Sequence, residues 1–211
     1  MVDHPLPETI DPQCVSNHTL RRLLQEKSTE PIGIEAGKLL LLRRVNNPSL
    51  GLVMKCVPTI RREAWKQLLR QTPTRDDLLW ILCHVPELQR ECWQRLPTLT
   101  NEQLCTVMAD APDLLHEAWK RCLDQSPNYY DLERVLVRVP SLREEAATLI
   151  LQAYCPNTIL LRILYWVPTL RAAAWQRLLE QGPTDADLQY ILDCVYSLRN
   201  EAIALLQRSS L

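Results

Sequence analysis

The feature that most constrains this chain is a unit that recurs about every 28 residues. It is plainest at 168–195, PTLRAAAWQRLLEQGPTDADLQYILDCV. Aligned on the residue that opens each copy, the markers are Pro58, Pro86, Pro112, Pro140, Pro168 and Tyr196, spaced 28, 26, 28, 28 and 28 residues apart. A period of this size is the mark of a solenoid, in which no copy can bury its apolar face alone and each stacks on its neighbours.

Within the unit, apolar residues fall into columns. Two residues after the marker stand Ile60, Leu88, Leu114, Leu142, Leu170 and Leu198; six after it, Ala64, Cys92, Ala118, Ala146, Ala174 and Ala202; ten after it, Leu68, Leu96, Cys122, Ile150, Leu178 and Leu206. Steps of four trace one stripe of an α-helix, here named helix A. A second series, Leu78-Ile81-Val85 with its counterparts Leu104-Val107-Ala111, Leu132-Val135-Val139, Leu160-Ile163-Val167 and Leu188-Ile191-Val195, predicts a helix B. Thr74 with Asp77 and Thr184 with Asp187 read as capping boxes opening helix B, with Asp for the usual Glu, and Ser141 with Glu144 as one opening a helix A. Proline at each junction ends the helix before it.

The expected fold is therefore all-α, a right-handed α-solenoid of about seven antiparallel helix pairs with a repeat of about 28 residues. Residues 1–15 carry three Pro and read as a flexible tail, and 16–208 as a single solenoid domain. That domain comprises degenerate copies over 16–57, regular copies over 58–195 and a capping helix over 197–208. In the degenerate part, a B-like helix is expected over 17–27 and an A-like one over 33–44, whose four consecutive Leu call for burial on more than one side. The copy at 86–111 has lost two residues and carries Pro97 where helix A should finish, so this helix is expected to stop early. Gln207 replaces the usual Leu, as suits the end of a stack, and Ser209, Ser210 and Leu211 are expected to fray.

Composition narrows the function. A net charge of −1 gives no general attraction to nucleic acid or to anionic membrane, so neither is expected as a partner. Basic residues are 19 Arg against 5 Lys, and Arg suits planar ion pairs and anion contacts, which leaves room for a local basic face. The eight Cys contain no CxxC pair, and Cys92 and Cys122 stand in core columns, so buried thiols in a reducing compartment are expected rather than disulfides or zinc. No secretory leader or run long enough to span a membrane is read in the chain, which points to a cytoplasmic protein without membrane insertion.

Three groups of residues are candidates for contact with a partner. Trp65, Trp93, Trp119 and Trp175 share a slot of helix A that holds Ala147 and Ile203 in the other copies. Flanked by buried columns, this series is read first as inter-repeat packing and second as a binding ladder. Arg61, Arg143, Arg171 and Arg199 form a column, with Glu63, Glu91, Glu117, Glu145 and Glu201 two positions on, a mixture usual for solvated helix faces. The sharpest signal is aromatic residues outside the core columns: Trp166, Tyr165 and Tyr196 in the C-terminal copies, and Trp80 and Tyr190 in one shared outward slot. Exposed Trp and Tyr are enriched at interface hot spots. His4, His18, His84 and His116 occupy unrelated slots, and no phosphate loop, nucleophile elbow or HExxH is present, so no catalytic, cofactor or metal residues are assigned.

The recurring VPxLRxxAWxxLLxQxPTxxDLxxIL, clearest at 57–82 and 167–192, resembles the HEAT-like and leucine-rich-variant class of α-solenoid repeats over about residues 48–208. HEAT units run longer, and the leucine-rich variant is shorter and has a 3₁₀ element. The resemblance implies a protein-binding surface, with nucleic-acid binding or bilin lyase activity in a minority of such scaffolds. The expected function is thus a non-enzymatic scaffold for a protein or peptide partner, with self-association as a further possibility. The alternatives are a HEAT-type nucleic-acid-binding or DNA-repair protein, and a lyase or chaperone-like protein for bilins.

Overall fold

A computed structural model describes residues 10–209, in which there are fourteen α-helices, six 3₁₀ turns and no strand. The expected N-terminal tail lies outside the described residues over 1–9, as does the expected fraying of Ser210 and Leu211. The chain divides into two compact units, Met1–Leu99 and Thr100–Leu211, a boundary that falls just after the shortened helix A and its Pro97-Thr98 loop. The first unit holds α1 (Asn17–Glu26), α2 (Pro31–Leu42), α3 (Asn47–Cys56), α4 (Arg61–Arg70), α5 (Arg75–His84) and α6 (Gln89–Arg95). The second holds α7 (Asn101–Asp110), α8 (Leu115–Asp124), α9 (Tyr129–Arg138), α10 (Arg143–Gln152), α11 (Asn157–Trp166), α12 (Arg171–Gln181), α13 (Asp185–Cys194) and α14 (Arg199–Ser209).

Odd-numbered helices from α3 on are the B helices, and each packs chiefly on the A helix that follows it. With α1 and α2 this makes seven pairs in succession, the helical-repeat fold that the period predicts. Between B and A in each of the last six pairs stands a 3₁₀ turn, Pro-x-Leu in four of them, which the spacing alone did not predict. Its cause is local. Helix B ends on Val or Ala with ψ near +71 to +88°, because the next residue is Pro in five cases. The turn then closes by bonds such as Leu88 N–H to the Val85 carbonyl at 2.9 Å, and its third residue, Leu88, Leu114, Leu142 or Leu198, is buried.

This turn replaces a side-chain cap. Ser141 lies inside the turn Pro140–Leu142, and α10 starts at Arg143 with no side-chain cap, so the box expected from Ser141 and Glu144 does not form. The B helices do carry boxes. Thr74 with Asp77 and Thr184 with Asp187 close as expected, and Thr100 with Gln103 and Asn128 with Asp131 close in the same way. Among the four leucines of α2, Leu39 and Leu40 are buried but Leu42 is 78% exposed, because a helix turning 100° per residue cannot send four successive side chains into one layer.

The apolar columns are the core: Ala64, Cys92, Ala118, Ala146, Ala174 and Ala202 are all fully buried, as are Ile163 and Ile191. From α3 on the copies also alternate, with a repeat of two pairs; ahead of them Arg44, just after α2, has φ 48° as Thr72 does after α4. Thr72, Ser126 and Gly182, 54 and 56 residues apart, each precede a proline and each adopt positive φ (52°, 52° and 78°). At the start of helix B, Asn47, Asn101 and Asn157 alternate with the box residues Asp77, Asp131 and Asp187. Each Asn amide donates to the Asp of the next B helix, at 2.8, 3.0 and 3.0 Å. One carboxylate thus caps its own helix and holds its neighbour.

Candidate partner-binding surfaces

Helix A's tryptophans belong to the stack. Trp65, Trp93, Trp119 and Trp175 are buried, and three of them reach the next A helix of their own unit. Trp65 Nε1 donates to Glu91 Oε2 at 2.8 Å, Trp119 Nε1 to Glu145 Oε2 at 2.8 Å and Trp175 Nε1 to Glu201 Oε2 at 2.6 Å. Where the slot holds Ala147 instead, the position 26 residues on is Ala173 rather than Glu, so ring and acceptor are lost together. Much of the Glu column is thereby explained as the polar end of these clamps. Hydrogen bonding from Arg62 holds the Glu91 carboxyl below its usual range, and the Trp65 indole adds to this, against burial that raises it.

The arginine column is also occupied. Arg61, Arg143 and Arg171 open their A helices, and each Nε donates to the carbonyl seven residues back, on Met54, Leu136 and Leu164, at 2.7, 2.9 and 2.8 Å. These carbonyls lie in the last turn of helix B, where a cation meets both free acceptors and the negative end of the helix dipole. The remaining nitrogens run onward, from Arg61 to Glu87 and from Arg171 Nη1 to Ser197 Oγ at 3.2 Å. No such bond from Arg199 is made among the described residues.

Aromatic side chains do gather on the second unit. Tyr165 and Trp166 end α11 and meet edge to face with ring centroids 4.9 Å apart. The Arg143 guanidinium lies 4.3 Å from the centre of the Trp166 ring, and that ring stays 38% exposed. Tyr190, on α13, is half-buried rather than outward. Burial pushes its phenol up, with the neighbouring Cys194 and Tyr165 adding to this and Arg162 opposing it. Tyr196 opens the last 3₁₀ turn, Tyr196–Leu198, and is 76% exposed. Tyr165, Trp166, Arg143 and Tyr190 thus share one neighbourhood, while Trp80 lies in the other unit, on α5.

A second group of aromatic rings escaped the sequence reading. Tyr129, half-buried, and Tyr130, exposed, open α9 with centroids 4.2 Å apart, and Tyr154 is exposed in the loop after α10. Tyr129, with Leu123, Pro127 and Leu149, lines a groove of about 410 Å³. The available signal was the replacement of Arg75-Asp76 and Asp185-Ala186 by two tyrosines in the corresponding first turn.

Reactive chemistry is sparse. Burial pushes the Cys92 thiol up to about 12 and the Cys122 thiol up to about 11, so neither carries a useful fraction of thiolate near neutrality. Among the described residues no group of three or more His, Cys, Asp or Glu is placed to hold a metal, and no helix is long and apolar enough to cross a membrane. No protein family, curated protein or solved structure matches the chain.

Proposed function

We propose that the chain is a non-enzymatic scaffold whose stacked helix pairs present an aromatic surface to a protein or peptide partner. The observation that carries this reading is the contrast between two sets of rings. Trp65, Trp93, Trp119 and Trp175 are buried, whereas Tyr165, Trp166 and Tyr196 remain in solvent on the second unit. Exposed large rings held rigid by neighbours lose little entropy on binding and are the usual anchors of interfaces. The tie of Arg143 to the Leu136 carbonyl and to the Trp166 face fixes the centre of this surface before a partner arrives. The eight free cysteines suit a reducing, cytoplasmic setting.

The test is capture from native lysate at low and at moderate salt, with wild type and Trp166→Ala in parallel. One stoichiometric protein retained at moderate salt and lost in Trp166→Ala supports the scaffold. Nucleic acid that elutes with salt and ignores Trp166→Ala overturns it, since phosphate contacts are weakened steeply by salt.

A further inference from the structure

The first unit carries a groove of about 430 Å³ bounded by α1, α3 and α5, within the size range of small ligand sites. On one wall stands Arg21, whose Nε is buried and has no acceptor. Arg21 is half-buried, and a buried N–H left without an acceptor is costly in a fold, so an occupant that supplies one is favoured. The opposite wall carries Trp80, 37% exposed and already ordered. Its ring stacks on His84 with centroids 4.4 Å apart and planes 10° from parallel, and His84 Nδ1 donates to the Trp80 carbonyl at 2.8 Å. The floor is Gly51 and Leu52 of α3. A Cβ on residue 51 would stand 3.0 Å from Trp80 Cζ3, so the glycine lets the ring approach α3 more closely than a side chain there would allow. At the edge, Asp77, held by Thr74 and Asn47, and Asp76 together form an acidic rim.

We propose that this groove binds an extended segment of a partner protein carrying one acidic side chain beside an apolar one. The carboxylate supplies the acceptors that Arg21 lacks, in the paired geometry that a guanidinium favours. The apolar neighbour packs on Leu52 and against the exposed part of Trp80. Asp76 and Asp77 repel a second negative charge, so a run of acidic residues or a doubly charged phosphate is disfavoured. The inference rests on the scaffold reading only in drawing the occupant from a protein.

The experiment selects random nonapeptides displayed on phage against the immobilised full-length chain, then titrates the strongest binder as a fluorescein-labelled peptide. The expected sequences share one Asp or Glu next to an apolar residue. Changing that acid to its amide weakens binding about tenfold, Arg21→Gln weakens it about tenfold, and the two losses do not add, because they remove one charge-assisted contact. Trp80→Ala also weakens binding, and Trp166→Ala leaves it unchanged. Arg21 is half-buried and its Nε bonds nothing in the fold, so Arg21→Gln is expected to melt no lower than wild type; should it melt lower, Arg21→Lys, which keeps the charge but not the paired geometry, serves in its place. No enriched peptide, enrichment without an acid, or affinity indifferent to Arg21 would overturn the proposal. Peptide affinity lost in Trp166→Ala but kept in Arg21→Gln overturns the groove and leaves the scaffold surface standing. The converse, with capture of a lysate partner insensitive to Trp166→Ala, sinks the surface on the second unit and leaves the groove.

Discussion

The indole nitrogen of Trp119 donates a 2.8 Å hydrogen bond to Glu145, 26 residues along the chain and one A helix further in the stack. A ring that fills the space between layers thereby also carries a polar tie between them. Trp119→Phe keeps most of the buried ring and removes only the donor, so it is expected to cost about 1 kcal/mol. Glu145→Ala is expected to cost a similar or smaller amount, since the carboxylate faces solvent, and the double variant to cost less than the sum. Chemical denaturation of the four proteins measures the coupling; strict additivity would show that the bond contributes nothing to stability.

Positive φ at Thr72, Ser126 and Gly182 makes one position of the repeat a natural site for glycine. Only one of the three has it. Ser126→Gly removes the strain of a side chain in this region and is expected to stabilise by about 0.5 kcal/mol after its larger unfolded-state entropy is counted. Gly182→Ala is expected to destabilise by about 1 kcal/mol. The space around Gly182 is open, so a loss there reports backbone conformation and not a clash. Thermal melts of both variants decide the matter, and equal effects of the same sign would contradict it.

Asp77 and Asp187 link acidity to the stack. Burial raises each, but hydrogen bonds from the capping Thr and from Asn47 or Asn157 outweigh it and hold both below the ordinary aspartate value of 3.8. A carboxyl lowered on folding contributes stability that is fully present above its unfolded value and is lost as pH falls through the folded one. Stability is therefore expected to be flat from neutrality to about pH 5 and to decline below about pH 4. In Asn157→Ala the decline should be shallower, because Asp187 loses a donor that favours its charged form. Denaturation midpoints across this range, compared between the two proteins, test the link.

Thiol chemistry should sort by burial. Cys14 is exposed, whereas Cys92, Cys105, Cys122 and Cys155 are buried and all four are raised by it. Brief alkylation of the folded protein at pH 8 is expected to modify Cys14 and to spare these four until denaturant is added. Mass spectrometry of the peptides reads the outcome, and early labelling of Cys92 or Cys122 would contradict their place in the core.

How far the chain could be read without its structure depends on how local each feature is. Which residues face the core follows from the 3.6-residue turn of a single helix, so the columns through Ala64, Leu78 and Ile81 were legible and are buried. The pairing, the early end of α6 and the burial of the tryptophan series follow from the same periodicity. What periodicity could not supply is where the polar end of a side chain goes once copies are stacked. Arg171 read as part of a possible basic face until its Nε was found on the Leu164 carbonyl, and Glu201 read as solvated until Trp175 was found bonded to it. The Pro-x-Leu turn likewise displaced the cap expected at Ser141, because a buried Leu142 and a preceding proline favour 3₁₀ closure over a side-chain bond. The alternation in pairs was present in the letters as Asn47 and Asp77, but only their contact 30 residues apart gave it meaning. The sequence by itself thus determined the helices, their order and their buried faces, since these rest on neighbours within a few residues. Tertiary structure decided which tryptophans were spent on the core, that the Arg21 Nε remained without an acceptor and which rings stayed exposed, since those depend on distances between copies that no single repeat encodes.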